Sequence, residues 1–209
     1  MFASHGGNSI RTWRTDNAQN LLDEALAHGV TVLMCIEIGR ERHGFDYDDT
    51  EAVAAQLEFA RQEVLKYKDH PALLGWIIGN EPNLHFRNPK VFDAINDISK
   101  MIHELDGKHP TTTALAGINQ ELADLIEQRA PDLDFISFQM YGSIFDLHAR
   151  LARSVACRGC TGAGRTLGRG KLVGVQTAGG VISTGGARVM DFGYIRTPGR
   201  GWFLVGNGR

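Results

Sequence analysis

The sequence predicts an α/β fold in which parallel strands alternate with helices. Between residues 8 and 141, apolar runs of strand length alternate with segments whose apolar residues recur at helical spacing. Runs such as VTVLMCIEI and LLGWII contain few polar residues, which is typical of strands buried on both faces. Because parallel neighbours need a long crossover connection, the helices between these runs indicate right-handed β–α–β units.

The composition is that of an ordinary globular protein. The chain has 209 residues, of which 43% are hydrophobic and 22% charged, so one domain or slightly more is expected. No apolar run approaches the roughly 20 residues that cross a bilayer, and the start MFASHGGNSIRTW lacks the basic and apolar regions of a signal peptide. The sequence therefore predicts no membrane association, and it leaves the cellular compartment unknown.

The first two predicted strands enclose one helix. Residues 8–13 (NSIRTW) form a short extended segment with β-branched and aromatic residues. Asp16 is expected to cap a helix that ends at Gly29, because glycine favours the position that follows a helix. Residues 30–38 predict a second buried strand, and a polar loop follows over 39–49.

Three longer helices and three strands are predicted after that loop. Thr50 is expected to cap the helix over 50–68, which is expected to bury one apolar face. Asn88 and Pro89 are expected to start the next helix, since proline suits the first helical turn. The helix that starts at Asn88 and Pro89 is expected to end near Gly107. The strands are predicted over 70–83, 111–116 and 133–141. A helix is predicted over 119–130, and a short helix follows the last strand through Ala152.

The polar positions at the strand ends favour a barrel over an open sheet. No GxGxxG or Walker loop follows any predicted strand, so an open nucleotide-binding sheet lacks its usual motif. In a (β/α)8 TIM barrel the functional residues gather at the carboxyl ends of the strands. Arg11, Glu37, Glu81 and Tyr141 all fall there. Five strands cannot close such a barrel, so the prediction is a partial TIM barrel.

The last part of the chain has a different composition. Residues 152–209 contain eight Arg and one Lys but only one acid, Asp191, so they carry +8 while the preceding residues carry −10. This segment also holds 15 of the 25 glycines, and each glycine disfavours a helix by about 1 kcal/mol against alanine. We therefore expect a partial barrel domain over 1–151 and an irregular basic tail over 152–209. Short strands are conceivable over 171–177 and 187–190.

The origin of the tail is open between two interpretations. Its glycine and arginine content is typical of flexible arms that bind nucleic acid. Its aromatic residues are few and not interleaved with the arginines, however, so no nucleic-acid partner is predicted. Excess Gly, Arg, Ala and Val with almost no acid is also what a shifted reading frame in a GC-rich gene would give. Sequencing the source DNA would test that interpretation.

The three cysteines give no support for a metal or redox site. Cys35 lies within an apolar run and is expected to be a buried small hydrophobe. Cys157 and Cys160 form a CxxC, but no second pair completes a zinc site. The sequence therefore predicts no metal and no cofactor.

The strongest candidate site lies in the segment HPALLGWIIGNEPN, residues 70–83. Its apolar run ends abruptly in Gly-Asn-Glu-Pro, which places an amide and a carboxyl group side by side at the end of a buried strand. Pro82 has no N–H and biases Glu81 towards an extended backbone. A carboxylate fixed there suits general acid/base chemistry, and the alternative is a strand that stops at a polar turn.

Four segments together resemble the catalytic TIM barrel of retaining glycoside hydrolases. They are NSIRTW, GVTVLMCIEIG, HPALLGWIIGNEPN and DFISFQMYGS. The nearest likeness is to the family-two barrels of β-galactosidases, β-glucuronidases and β-mannosidases, within a wider superfamily that includes family-five glycanases. The resemblance covers roughly residues 5–150, and it implies an incomplete barrel that retains about strands two to six.

The resemblance assigns roles to the residues that match its motifs. It implies that Glu81 is the acid/base that protonates the glycosidic oxygen, and that Asn80 binds the sugar 2-hydroxyl. Arg11 would orient the nucleophile, and Tyr141 would donate a hydrogen bond to it. Apolar neighbours such as Trp76 would surround the Glu81 carboxyl group.

Residues of the rim complete the implied sugar site. Glu37 and the loop residues Arg40, Glu41, His43 and Tyr47 would lie near the sugar, or would be solvated loop residues or form local salt bridges. Trp13 would either stack on a sugar ring or pack at the rim.

One departure from the family is decisive for activity. A retaining enzyme needs a second carboxylate about 5–5.5 Å from the first, and this family supplies it as a Glu that ends strand seven. The chain contains no Glu after Glu127. We therefore expect a carbohydrate substrate and a retaining double displacement for the family, but an inactive fragment here. The alternative is a non-catalytic carbohydrate-binding or assembly subunit, and no oligomeric state is predicted.

Overall fold

In the described part of the chain, seven strands form one sheet in which the spatial order follows the chain. The computed structural model describes residues 3–5, 7–141, 172–178 and 190–193, with the backbone alone for His5, residues 140–141 and the last two stretches. The strands are Ser9–Arg11 (β1), Thr31–Ile36 (β2), Leu73–Asn80 (β3), Thr111–Ala116 (β4), Phe135–Tyr141 (β5), Leu172–Ala178 (β6) and Met190–Gly193 (β7).

Helices connect the first five strands in strict alternation. They are Ala18–Ala27 (α1), Thr50–Tyr67 (α2), Lys90–Leu105 (α3) and Gln120–Arg129 (α4). Strands β1 to β5 pair in parallel and curl into half a barrel. The predicted α/β fold and partial TIM barrel are therefore confirmed. None of the described helices is both long enough and apolar enough to cross a membrane.

Two predicted helix caps are wrong. The cap of α2 is Asp49, whose carboxylate accepts the N–H groups of Glu51 and Ala52 at 3.0 Å each, so Thr50 is already helical. Before α1, Asn17 takes a left-handed backbone with φ 55° and caps with no side-chain hydrogen bond, so Asp16 is not the cap. At both sites the backbone at the helix entry decides which side chain can reach the free N–H groups.

The sheet buries apolar side chains on both faces. On the outer face they pack against the helices, including the apolar face of α3. This outer cluster includes Met34, Ile36, Trp76 and Ile78 of the sheet and Val91, Ile95, Ile98 and Ile102 of α3. On the inner, concave face a smaller cluster joins Leu33, Cys35, Ile77 and Ala114. Cys35 has no exposed surface, as its apolar context predicts.

The end of β3 departs from simple alternation. Trp76 and Ile78 face the helices, so alternation alone would direct Asn80 to the same side. Instead Gly79 has φ 75°, and the pairing with β4 shifts register between Ile77 and Asn80. A Cβ on Gly79 would lie 2.6 Å from Cγ1 of Ile38, so glycine is required there. This irregularity turns Asn80 to the concave face.

The sheet continues beyond β5 into the tail. Strand β6 pairs in parallel with β5 and occupies the place after the five predicted strands, and β7 pairs with β6 in antiparallel fashion. β6 agrees with the candidate strand at 171–177 to within one residue, whereas β7 overlaps the candidate at 187–190 only at Met190. The predicted short helix through Ala152 and the Cys157–Cys160 pair lie outside the described residues.

Candidate active site

Three strand ends meet on the carboxamide oxygen of Asn80. The guanidinium Nη2 of Arg11, the last residue of β1, donates to Asn80 Oδ1 over 2.5 Å. The amide Nε2 of Gln139, on β5, donates to the same oxygen over 2.5 Å. Arg11 and Gln139 are 7% and 4% exposed, so these polar groups lie inside the curl of the sheet. The contacts join strands that are not neighbours, which places them across the concave face.

The charge on Arg11 fixes the orientation of two amides. Arginine has donors and no acceptor, so the oxygen of Asn80 must face it. Because the same oxygen also accepts a hydrogen bond from Gln139, the side chain of Gln139 must present its NH2 group to it. The Nδ2 of Asn80 therefore points away from both donors, and it can donate to a molecule bound beyond them.

Glu81 is held in an unusual backbone conformation directly after β3. Its φ is 53°, in the left-handed region that non-glycine residues rarely adopt, so the predicted extended backbone is wrong. Its N–H donates to the carbonyl of Ala114 over 2.6 Å, and its carbonyl accepts from Nη1 of Arg42 over 2.8 Å. These two hydrogen bonds outweigh the preference that Pro82 imposes.

The Glu81 carboxyl group lies in a half-buried, polar setting. Its Oε2 is 3.9 Å from Nη2 of Arg42, and the two side chains are 16% and 17% exposed. Trp76, expected beside this carboxyl group, faces the helices and donates from Nε1 to Asp106 Oδ2 over 2.7 Å. The apolar surroundings predicted for Glu81 are therefore wrong, because Trp76 lies on the opposite face of β3.

Glu37 and Trp13 lie at the rim of the concave face. The Glu37 carboxylate is 3.4 Å from Nε of Arg14 and 3.8 Å from Nη2 of Arg40, and 40% of the side chain is exposed. Trp13 is 41% exposed, and the guanidinium carbon of Arg11 lies 5.0 Å from the centroid of its ring. Their roles in binding a sugar stay predictions.

The loop after β2 makes hydrogen bonds both within itself and to the loop that precedes α3. The Tyr47 hydroxyl donates to the carbonyl of Gly39 over 2.6 Å, and burial raises the pKa of Tyr47 well above its ordinary value. The Glu41 carboxylate accepts the backbone N–H groups of Arg87 and Asn88. His43 is exposed. Tyr47 and Glu41 thus connect loop segments by hydrogen bonds to backbone groups, and the roles of the loop residues in binding a sugar stay predictions.

Sequence reasoning missed Gln139 and Arg42. Gln139 lies two positions before Tyr141, so the alternation of a strand could have placed it on the same face. Arg42 lies in the polar loop over 39–49, but nothing in the local sequence indicates that it reaches Glu81, 39 residues away. The contact between Arg42 and Glu81 becomes apparent only when β2 and β3 are paired in the sheet.

Tyr141 ends β5, but its side chain lies outside the described part of the structure. Its Cα pairs with that of Ala178, which pairs in turn with Met190. One alternation earlier, Gln139 pairs with Gln176, and Gln176 with Phe192. By the same alternation, positions 172 and 174 of β6 also share the face of Gln139, and none of these positions of β6 and β7 is an acid.

The single acid of β7 falls in the alternate set of positions. Asp191 pairs with Thr177, which pairs with Met140. Because residues in register share a face and neighbours along a strand alternate, position 191 does not share the face of Gln139. Within the described part of the chain, no group of three or more His, Cys, Asp and Glu side chains could hold a metal ion.

A cavity of about 450 Å³ opens beside the end of β4. Asn83 forms one wall and is locked in place, because its Oδ1 accepts from the N–H of Ala116 at 2.7 Å and its Nδ2 donates to the carbonyl of Ala116 at 3.2 Å. The other lining residues are Phe86, Gly117, Ile118, Asn119, Glu121, Leu122 and Leu125.

Comparison with known proteins identifies similar sequences. Residues 6–152 match the family described as glycosyl hydrolases family 2, TIM barrel domain. The chain is 27% identical over 112 residues to a probable mannan endo-1,4-β-mannosidase A-1 of Aspergillus terreus, with 46% of this chain and 29% of that protein covered.

Solved structures share the fold at low sequence identity. A β-D-glucuronidase of Dictyoglomus thermophilum matches with a TM-score of 0.57 and 17% identity, covering 74% of this chain and 28% of that one. A β-galactosidase of Marinomonas ef1 gives 0.57 and 14%, covering 76% and 43%. A β-mannanase of the blue mussel Mytilus edulis gives 0.54 and 15%, covering 68% and 61%. The chain thus spans less than two thirds of the length of each of these proteins.

Proposed function

The chain belongs to the TIM-barrel domain of glycosyl hydrolases family 2, and from this premise we propose that it carries the acid/base half of a retaining β-glycosidase site. The observation that carries the proposal is the end of β3, where Asn80 closes a buried strand inside the curl of the sheet and Glu81 follows it directly. That is the edge at which TIM-barrel enzymes bind their substrates.

Glu81 is the proposed proton donor to the glycosidic oxygen. In the second step of a double displacement the same carboxylate accepts a proton from the attacking water. Asn80 is proposed to donate from Nδ2 to a sugar hydroxyl, because its oxygen is already occupied by Arg11 and Gln139. Arg11 thus contributes by orienting Asn80, besides any role near the nucleophile.

The isolated chain is proposed to lack hydrolytic activity. A retaining enzyme needs a second carboxylate on the opposite side of the scissile bond. The concave-face positions 176 and 178 of β6 and 190 and 192 of β7 hold Gln, Ala, Met and Phe. The proposal for the parent enzyme therefore includes a nucleophile that this chain does not supply from these strands.

An affinity label tests the role of Glu81 without requiring turnover. N-bromoacetyl β-glycosylamines carry an electrophilic carbon where the leaving group of a substrate would lie. The Glu81 carboxylate displaces bromide from that carbon and forms an ester, which mass spectrometry locates. We expect one adduct, at Glu81, with at least one of the galactosyl, glucuronosyl and mannosyl reagents.

Two controls decide the outcome of the labelling. The variant Glu81→Gln should lose the adduct, and free sugar should slow the labelling of the wild-type chain. Absence of labelling with all three reagents, or an adduct that persists in Glu81→Gln, would refute the proposed site. Release of a chromogenic aglycone by the wild-type chain but not by Glu81→Gln would refute the proposed inactivity alone.

A non-catalytic carbohydrate-binding or assembly subunit is the second candidate function. The exposed Trp13, which packs beside the Arg11 guanidinium, favours it, because exposed aromatic rings can stack on sugars. Titration with oligosaccharides should then quench the fluorescence of Trp13 in a saturable way. Saturable binding that survives Glu81→Gln, together with no labelling of Glu81, would favour this second function over the first.

A further inference from the structure

Two adjacent residues hold both ends of the loop that begins with Glu81. Glu41 and Arg42 belong to a short 3₁₀ turn, Glu41–His43, in the loop after β2. Arg42 binds Glu81 at the start of the loop between β3 and α3. Glu41 binds the backbone of residues 87 and 88 at its end. A single turn therefore spans the whole of the loop 81–88.

Arg42 binds the carbonyl of Glu81, which is the only hydrogen-bonding group of the peptide bond between Glu81 and Pro82. Pro82 has no N–H, so only the Glu81 carbonyl can anchor this peptide plane by a hydrogen bond. Arg42 donates to that carbonyl from Nη1 over 2.8 Å, while its Nη2 lies 3.9 Å from the Glu81 carboxylate. The planar guanidinium can serve both groups at once, whereas a lysine ammonium is a single point charge.

Glu41 fixes the far end of the loop through charge-assisted hydrogen bonds. Its Oε2 accepts the N–H of Arg87 at 2.7 Å and the N–H of Asn88 at 3.1 Å. Asn88 lies immediately before the entry to α3, where free N–H groups favour a negative charge. Because Glu41 and Arg42 are neighbours in sequence, the distance between the two anchored ends is set by one turn.

We propose that Glu41 and Arg42 form a clasp that positions the Glu81 carboxyl group for its acid/base role. The inference rests on the proposed function of Glu81, and it assigns to the clasp residues a positioning role rather than a catalytic one. Without Arg42, Glu81 loses the contact that opposes the extended backbone favoured before proline. Its carboxyl group then moves away from Asn80, and proton transfer depends steeply on such distances.

The rate of affinity labelling at Glu81 measures this positioning. With the reagent that labels the wild-type chain, Arg42→Met should label about tenfold more slowly or worse, since a misplacement of 1 Å can cost about a hundredfold. Arg42→Lys should fall between the two, because it restores the charge but not the double contact. Arg61→Met, which removes a partly exposed arginine 3.4 Å from Glu58 on α2, is the matched control and should label as the wild type does.

Hydrogen exchange provides a readout that does not depend on the reagent. Arg42→Met and Glu41→Gln should both speed amide exchange in the peptide that covers residues 81–88, while the peptides of α2 stay protected. If Arg42→Met does not fold, Arg42→Lys decides the matter. In that case, a threefold or greater loss of labelling rate in Arg42→Lys at an unchanged melting temperature supports the clasp, and a smaller loss contradicts it.

The results separate failure of the clasp from failure of the proposed function. Wild-type labelling at Glu81 with equal rates in folded Arg42→Met and Arg61→Met would overturn the clasp and leave the acid/base role standing. Absence of labelling in the wild-type chain would overturn the acid/base role itself. Unchanged exchange of residues 81–88 in both clasp variants would also overturn the clasp.

Discussion

Asn80 and Gln139 are 59 residues apart in sequence, yet Nε2 of Gln139 donates to Oδ1 of Asn80 over 2.5 Å. Their strands, β3 and β5, are separated in the sheet by β4. The contact therefore requires the curl of the half barrel, and it couples the architecture of the sheet to the orientation of one amide. Because Arg11 donates to the same oxygen, the site contains an acceptor that two buried donors share.

Replacing Asn80 by aspartate or alanine should separate stability from recognition. In Asn80→Asp the carboxylate still accepts from Arg11 and Gln139, so the free energy of unfolding should stay within about 1 kcal/mol of the wild-type value. Asn80→Ala removes the shared acceptor from two buried donors and should cost about 1–3 kcal/mol. Both variants lose the Nδ2 donor, so both should label Glu81 at least about tenfold more slowly.

Urea unfolding and labelling on the same samples check this expectation. Wild-type labelling in Asn80→Asp would contradict the assignment of Nδ2 as the donor to the sugar. A loss of stability in Asn80→Asp as large as that in Asn80→Ala would contradict the orientation that Arg11 imposes on the amide.

Gly79→Ala should destabilise the protein more than Gly29→Ala. Both glycines have positive φ, 75° and 66°, so both substitutions pay about 1 kcal/mol or more in backbone strain. Only at Gly79 would the new Cβ also meet a neighbour, Ile38, at 2.6 and 2.7 Å. That overpacking should add about 1–3 kcal/mol, measured by urea unfolding of the two variants side by side. Equal costs would mean that Ile38 moves aside freely.

Cys35 should resist alkylation in the folded protein. Its side chain is fully buried, and this burial raises the pKa of the thiol to about 12. At about pH 8 the reactive thiolate is therefore a minute fraction, and the reagent has no path to it. After iodoacetamide treatment, mass spectrometry should find the peptide that contains Cys35 unmodified in buffer and fully modified in denaturing urea. Rapid modification in buffer would indicate local opening of β2.

The sequence was sufficient for the elements but not for the contacts of the site. The strand Thr111–Ala116 agrees with its predicted range because threonines and a clear turn on each side delimit it. The placement of Asn80 depends on an extra residue at Gly79, which alternation within one strand does not reveal. Glu81 adopts a conformation that its own neighbour Pro82 disfavours.

Long-range partners explain these differences. The hydrogen bonds that hold Glu81 come from Ala114 and Arg42, on elements paired with β3 only after the sheet forms. Gln139 is a comparable case, because its role depends on the curl that brings β5 opposite β3. Local preferences of about 1 kcal/mol can be overridden wherever two or more such tertiary contacts act on one residue.

A second polar cluster, at the opposite edge of the sheet, should make stability depend on pH. His103 Nε2 lies 2.8 Å from Asp134 Oδ2, and Thr111 donates to the same oxygen from its N–H at 2.8 Å. The hydrogen bond to Asp134 raises the pKa of His103 above 6.5, and the carboxylates of Asp132 and Asp106 act in the same direction. Burial alone would raise the pKa of Asp134, but the hydrogen bonds from His103 and Thr111 outweigh it and lower that pKa below 3.8.

The variant His103→Gln, which can still donate to Asp134 but never carries a charge, should isolate this effect. The stability that His103 contributes is complete below pH 6.5 and is lost as the pH rises through its raised pKa. The stability that Asp134 contributes is complete above pH 3.8 and is lost as the pH falls through its lowered pKa. The wild-type chain should therefore exceed His103→Gln in unfolding free energy most between pH 3.8 and 6.5.

Since more than a third of the Asp134 side chain is exposed, the difference should be at most about 1 kcal/mol. Urea unfolding across this range measures it, and a difference that grows towards alkaline pH would show that the pair is not charged in the folded protein. Because Asp134 lies at the amino-terminal edge of β5, labelling of Glu81 at the other edge should be the same in both proteins.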